Sequence, residues 1–165
     1  KFMDEVTRNM KRVLNKIMIK GIKYEKIDDY WVMSRIEEEI DKGMVRYMNK
    51  LLEVKGSVYD NIEYDSNTEK EFARKLDSRE DIKLFMKLPS WFKIETPIGG
   101  YNPDWAIVKV NEGEEKLYLI RETKSTKEYE KRRVHENDII ACAKAHYEAF
   151  EGVVSFEVVT KAEEV

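Results

Sequence analysis

Two carboxylates and one lysine occupy positions that a single β-hairpin would bring together. Asp104 directly precedes one apolar run, and Glu122 and Lys124 follow the next. Asp104 and Glu122 are equidistant from Gly113, which lies in a turn-like stretch between the two runs. An antiparallel hairpin closed at Gly113 places Asp104 opposite Glu122. Lys124 shares the face of Glu122 because alternate strand residues point the same way. Two acids and an ammonium group in one place are typical of a site for a divalent metal ion and a phosphate.

Hydrolysis of a phosphodiester bond would give each of these groups a distinct role. Mg²⁺, for which Mn²⁺ can substitute, activates a water and stabilises charge on phosphorus when carboxylate oxygens hold it. We expect Asp104 and Glu122 to be metal ligands, together with the backbone carbonyl of Thr123. Lys124 would lie beside the attacking water and the scissile phosphate, where its charge lowers the pKa of the water or neutralises developing charge. The structural alternative for the same residues is an exposed Asp and a Glu–Lys surface pair.

Glu69 is a further candidate, and its position predicts two roles. It shares a helix face with Phe72 and Leu76, and an acid on an inward face is unusual unless it is paired or binds a metal. It also follows Ser66 by three residues, which is the spacing of an N-terminal capping box. The pattern leaves both roles open.

The other metal-binding and nucleophilic side chains give weaker indications. His135 and His146 are eleven residues apart, about three helical turns, which is too far for one metal ion. His146 and Cys142 fall on inward positions of a predicted helix, so we expect both in the core. The sequence has no Gly-rich phosphate loop, so any ATP-dependent step would belong to another part of a longer protein.

Hydrophobic periodicity predicts the elements that must position these residues. Predicted helices cover 1–16, 36–54, a segment capped near 66 that runs through 76, and 128–150. Predicted strands cover 18–27, 30–33, 82–88, 91–96, 104–110, 116–123 and 153–159. The helix between the last two strands indicates a crossover to parallel pairing. We therefore expect an α/β domain with an αβββαβ core and a mixed sheet flanked by helices at 57–165, preceded by a connecting segment at 1–56.

Composition narrows the class of protein. The chain has 165 residues, of which 42% are hydrophobic, enough for one domain with a core. It begins at Lys1, so we expect a piece of a longer protein. We find no apolar run that could span a bilayer and no signal-peptide pattern. One cysteine, Cys142, excludes an internal disulfide and favours a reducing cytoplasm.

The charge distribution limits how the chain could meet nucleic acid. Its net charge is −3, whereas a free-standing DNA-binding domain is usually basic. Residues 116–133, however, hold seven Lys or Arg and three Glu. The candidate DNA contacts in this stretch are Lys127, Lys131, Arg132 and Arg133. The alternative is a solvated helix start, and in either case we expect another component to deliver the domain to DNA.

The site residues and the sequence around them resemble a known family. Asp104 with Glu122 and Lys124 resembles the PD-(D/E)xK nuclease signature. The longer strings 87–94 and 96–106 resemble the C-terminal endonuclease domain of type III restriction enzyme restriction (Res) subunits. Upstream, the strings 58–60 and 64–66 fit the same family, and so do these residues further along the chain: Glu69, Phe72, Glu136, Ile139, Cys142, Ala143 and His146. The resemblance covers about residues 57–160.

That resemblance implies a Mg²⁺-dependent endonuclease that cuts double-stranded DNA. In the family, this domain follows a helicase-like ATPase on the same chain, so ATP acts only through that part. A modification (DNA methyltransferase) subunit is the partner that reads the target sequence. The resemblance gives catalytic roles to Asp104, Glu122 and Lys124, with Glu69 as a supporting helix acid. Asp138 departs from the basic residue expected at its position, and Arg121 is unexplained within an apolar strand.

Two other hypotheses remain open at this point. The first is a different nuclease of the same fold, such as a repair nuclease or a junction resolvase. The second is a non-catalytic interaction module, in which the hairpin acids are ordinary surface charges. Convergence of the Asp104 and Glu122 side chains would argue against the second.

Overall fold

The computed structural model describes residues 1–25, 51–111, 116–125 and 134–165. The helices of these parts are α1 (Phe2–Gly21), α2 (Asn67–Asp77) and α3 (Val134–Glu148), with a 3₁₀ turn at Ala162–Glu164. The strands are β1 (Leu51–Glu53), β2 (Asn61–Glu63), β3 (Ile82–Lys87), β4 (Trp105–Val110), β5 (Lys116–Thr123) and β6 (Val154–Val159).

The central sheet has the order β3-β4-β5-β6. β3, β4 and β5 pair antiparallel, and β6 joins β5 in parallel after the chain has passed through α3. This mixed sheet with flanking helices confirms the predicted fold class. β1 and β2 form a separate antiparallel pair across the predicted boundary near residue 56.

The register of the hairpin agrees with the sequence pattern. β4 and β5 pair from Trp105 with Arg121 to Val110 with Lys116, so each pair is symmetric about position 113. The same register, continued by one residue, sets Asp104 against Glu122. The predicted turn at Gly113 itself lies outside the described residues.

The sheet buries both of its faces because each carries alternate apolar side chains. On one face Phe72 of α2 packs against Trp105, with 5.3 Å between ring centroids. On the other face Tyr147 of α3 stacks on Phe156 of β6, also at 5.3 Å. Trp105 is fully buried, and it anchors the strand that begins directly after Asp104.

Three local predictions are wrong. Residues 18–21 continue helix α1 instead of starting a strand, since the helical spacing of apolar residues extends through Ile17 and Met18. Residues 51–53 form β1 instead of ending a helix, because Leu52 pairs with Ile62 of β2. Residues 91–96 are a loop with one bridge between Ile94 and Tyr101.

Some predicted elements cannot be compared with the structure. The predicted strand 30–33 and the helical stretches 36–50 and 128–133 lie outside the described residues. α3 ends at Glu148, and Gly152, with φ of 84°, supplies the left-handed turn that leads into β6.

No helix in the described parts of the chain is long and apolar enough to cross a membrane. Helix α1 leaves several apolar side chains exposed to solvent, namely Phe2, Met3, Met10, Val13, Leu14 and Ile17.

Candidate active site

One edge of the central sheet collects the predicted site residues. The amide of Leu88, directly after β3, donates to the carbonyl of Asp104 at 2.8 Å. At the end of β5, the amide of Lys124 donates to the carbonyl of Val159 at 2.9 Å. The first turns of α2 and α3 reach the same edge through ion pairs of their glutamates. Four strands and two helix N-termini therefore surround the candidate site.

Asp104 is fixed by Thr123 across the hairpin. Both the amide and the hydroxyl of Thr123 donate to Oδ2 of Asp104, each at 2.7 Å. The indole Nε1 of Trp105 donates in turn to the Thr123 hydroxyl at 3.3 Å. Burial raises the pKa of Asp104, and the hydrogen bonds from Thr123 oppose that rise. These bonds converge on one carboxylate oxygen and do not involve Oδ1.

Glu122 is only 5% exposed and has donors on both oxygens. The hydroxyl of Tyr101 donates to Oε2 at 2.7 Å, and Nζ of Lys124 lies 2.8 Å from Oε1. Burial, together with the nearby charge of Asp104, raises the pKa of Glu122 to about 7, against the opposing effects of Lys124 and Tyr101. The two carboxylates thus interact with each other, as the register of the hairpin predicts.

Lys124 lies between two acids. Its Nζ is 2.8 Å from Oε1 of Glu122 and 2.9 Å from Oε1 of Glu136, at the first turn of α3. Burial, the largest single effect, lowers the pKa of Lys124, but the carboxylates of Glu122, Glu136 and Asp104 together outweigh it, and the net pKa is raised. Lys124 is therefore a firmly charged ammonium group at the site, and it points the same way as Glu122.

Glu69 combines the capping role with an ion pair. The amide of Glu69 donates to Oγ of Ser66 at 3.2 Å, which confirms the predicted Ser66 cap, and the Ser66 hydroxyl donates back to Oε1 of Glu69 at 3.1 Å. Oε2 of Glu69 receives the ammonium of Lys87 at 2.6 Å and the amide of Asp65 at 3.1 Å. The charge of Glu69 contributes to the raised pKa of Asp104. Glu69 thus lies near the site with both oxygens engaged by protein donors.

The donor set of Asp104 and Glu122 fits a hard divalent cation. Both carboxylates are largely removed from water, and the charge of Asp104 disfavours ionisation of Glu122, a repulsion that a cation would relieve. Within the described ranges no group of three or more His, Cys, Asp or Glu side chains could hold a metal ion. The protein would therefore supply two carboxylates and leave other positions to water and substrate, as is usual for Mg²⁺.

None of the four predicted DNA contacts is described. Lys127, Lys131, Arg132 and Arg133 all lie outside the described residues. Arg121, counted in the same basic stretch, is 4% exposed, and its guanidinium donates to the carbonyl of Ser155 at 2.9 Å. Its function within the apolar strand is therefore to tie β5 to β6, and its charge does not face DNA.

The histidines, the cysteine and Asp138 do not contribute to the candidate site. His146 lies among aromatic rings, 4.8 Å from Tyr24 and 5.0 Å from Tyr147 between ring centroids, and Cys142 is fully buried. The core prediction is confirmed for Cys142, whereas His146 is half-buried within this group of aromatic rings. Asp138 is 7% exposed, so it lies on the buried face of α3 and not on a surface that could contact DNA. His135 is exposed at the start of α3.

Three residues at the site were not predicted to act there: Tyr101, Glu136 and Lys87. Tyr101 precedes Asp104 by three residues in the loop that leads to β4, and Asn102 pins this loop by donating to the carbonyls of Pro89 at 3.0 Å and Phe92 at 2.7 Å. Each of the three reaches the site from a different element, so no local spacing could have grouped them. The available signals were the family-like strings 87–94 and 96–106, which contain Lys87 and Tyr101, and the family-like residue Glu136.

Comparison with known protein families gives one match. A protein-family model described as an endonuclease domain matches residues 55–162. No curated protein and no solved structure matches the chain. The matched region includes all of the central sheet, α2, α3 and every residue of the candidate site. Because the match covers well over half of the sequence, the chain belongs to the endonuclease domain family.

Proposed function

We propose that this chain is a Mg²⁺-dependent endonuclease domain that hydrolyses phosphodiester bonds of double-stranded DNA. One observation carries the proposal: Asp104, Glu122 and Lys124 converge at one sheet edge of a chain that belongs to the endonuclease domain family. A buried pair of interacting carboxylates with an adjacent ammonium matches the needs of phosphodiester hydrolysis.

The residues of the chain divide the work as follows. Asp104 and Glu122 would hold Mg²⁺, with the carbonyl of Thr123 as a further ligand; the bound ion activates water and neutralises charge on the phosphate. Lys124 presents a fixed positive charge to the reacting phosphate. Thr123 and Tyr101 orient the two carboxylates through the hydrogen bonds described above. Glu69 supports the site from α2, through its charge near Asp104.

The biological setting that we propose is type III restriction. This proposal rests on the resemblance of 87–94 and 96–106 to type III Res subunits, within a region that the endonuclease-domain family model matches. In that setting the domain acts in the cytoplasm, a helicase-like ATPase supplies ATP-dependent motion, and a methyltransferase subunit selects the DNA. The basic residues 127 and 131–133 would then contact the DNA backbone near the site.

Cleavage of supercoiled plasmid DNA tests the chemistry. Because the isolated 165-residue chain binds DNA weakly, it should nick or linearise plasmid only slowly with Mg²⁺ or Mn²⁺, and not at all with EDTA. Asp104→Ala, Glu122→Ala and Lys124→Ala should each abolish cleavage and leave the circular dichroism spectrum unchanged. Two exposed residues of α3 provide matched controls, Glu148→Ala and Lys144→Ala. A catalytic variant that still cuts at the wild-type rate would remove that residue from the mechanism.

A second experiment tests the setting. Cleavage by a complete restriction subunit that contains this chain should require ATP and a methyltransferase partner. If the chain alone cuts branched DNA efficiently, without ATP, a repair nuclease or junction resolvase of the same fold would replace the restriction assignment. The interaction-module hypothesis is not supported, since Glu122 is buried, Asp104 is partly buried, and the two carboxylates interact.

A further inference from the structure

The ammonium group of Lys124 has two acceptors, and they differ in location. Glu122, with a side chain 6% exposed, lies inside the site, whereas Glu136, at 35%, lies at the solvent side on α3. The two Nζ–Oε1 distances are 2.8 Å and 2.9 Å. Lys124 is thus held between one proposed metal ligand and one acid that belongs to a different element.

This arrangement creates a competition at Glu122. Its Oε2 accepts the hydroxyl of Tyr101 and its Oε1 pairs with Lys124. A divalent ion that binds Oε1 competes with the ammonium for that oxygen, because the two positive charges repel each other strongly where little water screens them. An ammonium with no other acceptor would lose its partner inside a low-dielectric site, which is costly. Glu136 provides the alternative acceptor without any movement of the backbone.

We propose that Glu136 is a positioning residue that draws Lys124 off Glu122 when the metal binds and holds its ammonium beside the phosphate. This inference rests on the proposed function, since it requires a metal at Asp104 and Glu122. It assigns a role to the first turn of α3: the helix delivers one carboxylate that sets the position of the catalytic lysine. Glu136 itself does not touch the reacting atoms.

Mn²⁺ binding, measured by electron paramagnetic resonance on the 165-residue chain at one fixed pH, tests the coupling. In the wild-type background, Glu136→Gln should weaken Mn²⁺ binding roughly tenfold, because Lys124 then remains on Glu122. In a Lys124→Met background, where no ammonium competes, the same Glu136→Gln change should have no effect on Mn²⁺ affinity. Glu136→Asp, which keeps the charge, should recover part of the wild-type affinity.

The controls separate positioning from general electrostatics and from folding. Glu148→Gln removes a charge from the far end of the same helix and should leave Mn²⁺ affinity unchanged. Equal weakening by Glu136→Gln with and without Lys124 would overturn the inference, because it would reflect only the loss of a nearby negative charge. An unchanged affinity in the wild-type background would overturn it as well, provided that the melting temperature shows a folded variant.

One further variant distinguishes failure of this inference from failure of the proposed function. Asp104→Ala should abolish high-affinity Mn²⁺ binding whatever residue occupies position 136. If wild type and Asp104→Ala bind Mn²⁺ equally, the metal site itself is wrong and both proposals fail together. If Asp104→Ala abolishes binding and the two Glu136→Gln comparisons show no coupling, only the role of Glu136 fails.

Discussion

At the scale of single residues, Glu122 carries the strongest physical signature of the site. Its carboxylate is buried beside Asp104 and is held on both oxygens by Tyr101 and Lys124. An apolar side chain of similar volume at this position would often give equal or greater stability than such a buried charged group. The arrangement keeps a charge where burial opposes it, which is typical of a group whose ionisation serves chemistry.

The raised pKa of Glu122 predicts a pH dependence of the free energy of unfolding. Its pKa rises from 4.5 to about 7 on folding, so the folded state binds more protons than the unfolded state between these values. The contribution of Glu122 to stability is therefore present at low pH and is lost as the pH rises through about 7. Glu122→Gln removes this dependence. Urea unfolding of the metal-free protein in EDTA measures this effect. As the pH is raised from acid to mildly alkaline, the free energy of unfolding of the variant should increase relative to that of the wild type. Parallel pH profiles for the two proteins would contradict the prediction.

Tyr101 should matter both for stability and for cleavage. Its hydroxyl donates to a buried carboxylate oxygen at 2.7 Å, so Tyr101→Phe removes a hydrogen bond to a charged group and should cost about 1.5–3 kcal/mol of unfolding free energy. The cleavage rate should fall about tenfold, because Glu122 loses one of the groups that orient it. Tyr118→Phe, on an exposed tyrosine of β5, is the matched control for both measurements. A Tyr101→Phe protein that behaves like this control would show that the hydrogen bond has no functional weight.

At the scale of elements, the hairpin and the two helix N-termini determine the geometry of the site. The register of β4 on β5 was predictable, because residues that share a strand face repeat every two positions and Gly113 marked a midpoint. The prediction of a strand at 91–96 was wrong, because its aromatic residues favour a strand but none of the described strands is placed to pair with it. Tyr101 and Glu136 could not be predicted for a related reason: their proximity depends on how a loop and a helix pack on the sheet, which no local spacing encodes.

The N-terminus of α2 gives a prediction at this scale. Ser66 accepts the amide of Glu69 at 3.2 Å and so satisfies one of the free donors at the start of the helix. Ser66→Ala should therefore lower the free energy of unfolding by about 1 kcal/mol, whereas Ser66→Thr, which keeps the hydroxyl as acceptor and as donor to Glu69, should retain most of it. Denaturant unfolding provides the measurement, with the exposed Ser90→Ala as control. A loss in Ser66→Thr as large as in Ser66→Ala would mean that the cap contributes little.

At the scale of the whole molecule, charge separates catalysis from DNA binding. The chain carries a net charge of −3, and two of its basic residues near the site are committed to internal contacts: Arg121 to Ser155 and Lys87 to Glu69. The acidic balance opposes association with a polyanion. We therefore expect such a domain to need another component that concentrates it at DNA, as the proposed place of the chain in a larger restriction enzyme would provide.

This charge balance predicts weak and weakly salt-dependent DNA binding by the isolated chain. Each phosphate neutralised by Lys or Arg contributes about −0.9 to the slope of log K against log salt concentration. The candidate contacts are Lys127, Lys131, Arg132 and Arg133. If all four engage phosphates, the slope should not be steeper than about −4. Fluorescence anisotropy with a labelled duplex measures it.

Single substitutions make the prediction specific. Arg132→Ala should reduce the magnitude of the slope by about one, since one fewer counterion is released. Arg121→Gln should leave the slope unchanged, because the guanidinium of Arg121 is buried against Ser155 and releases no counterion from DNA. A much steeper slope, or one that changes with Arg121, would show that further basic groups meet the DNA. In that case the domain would not need a separate component to bring it to its substrate.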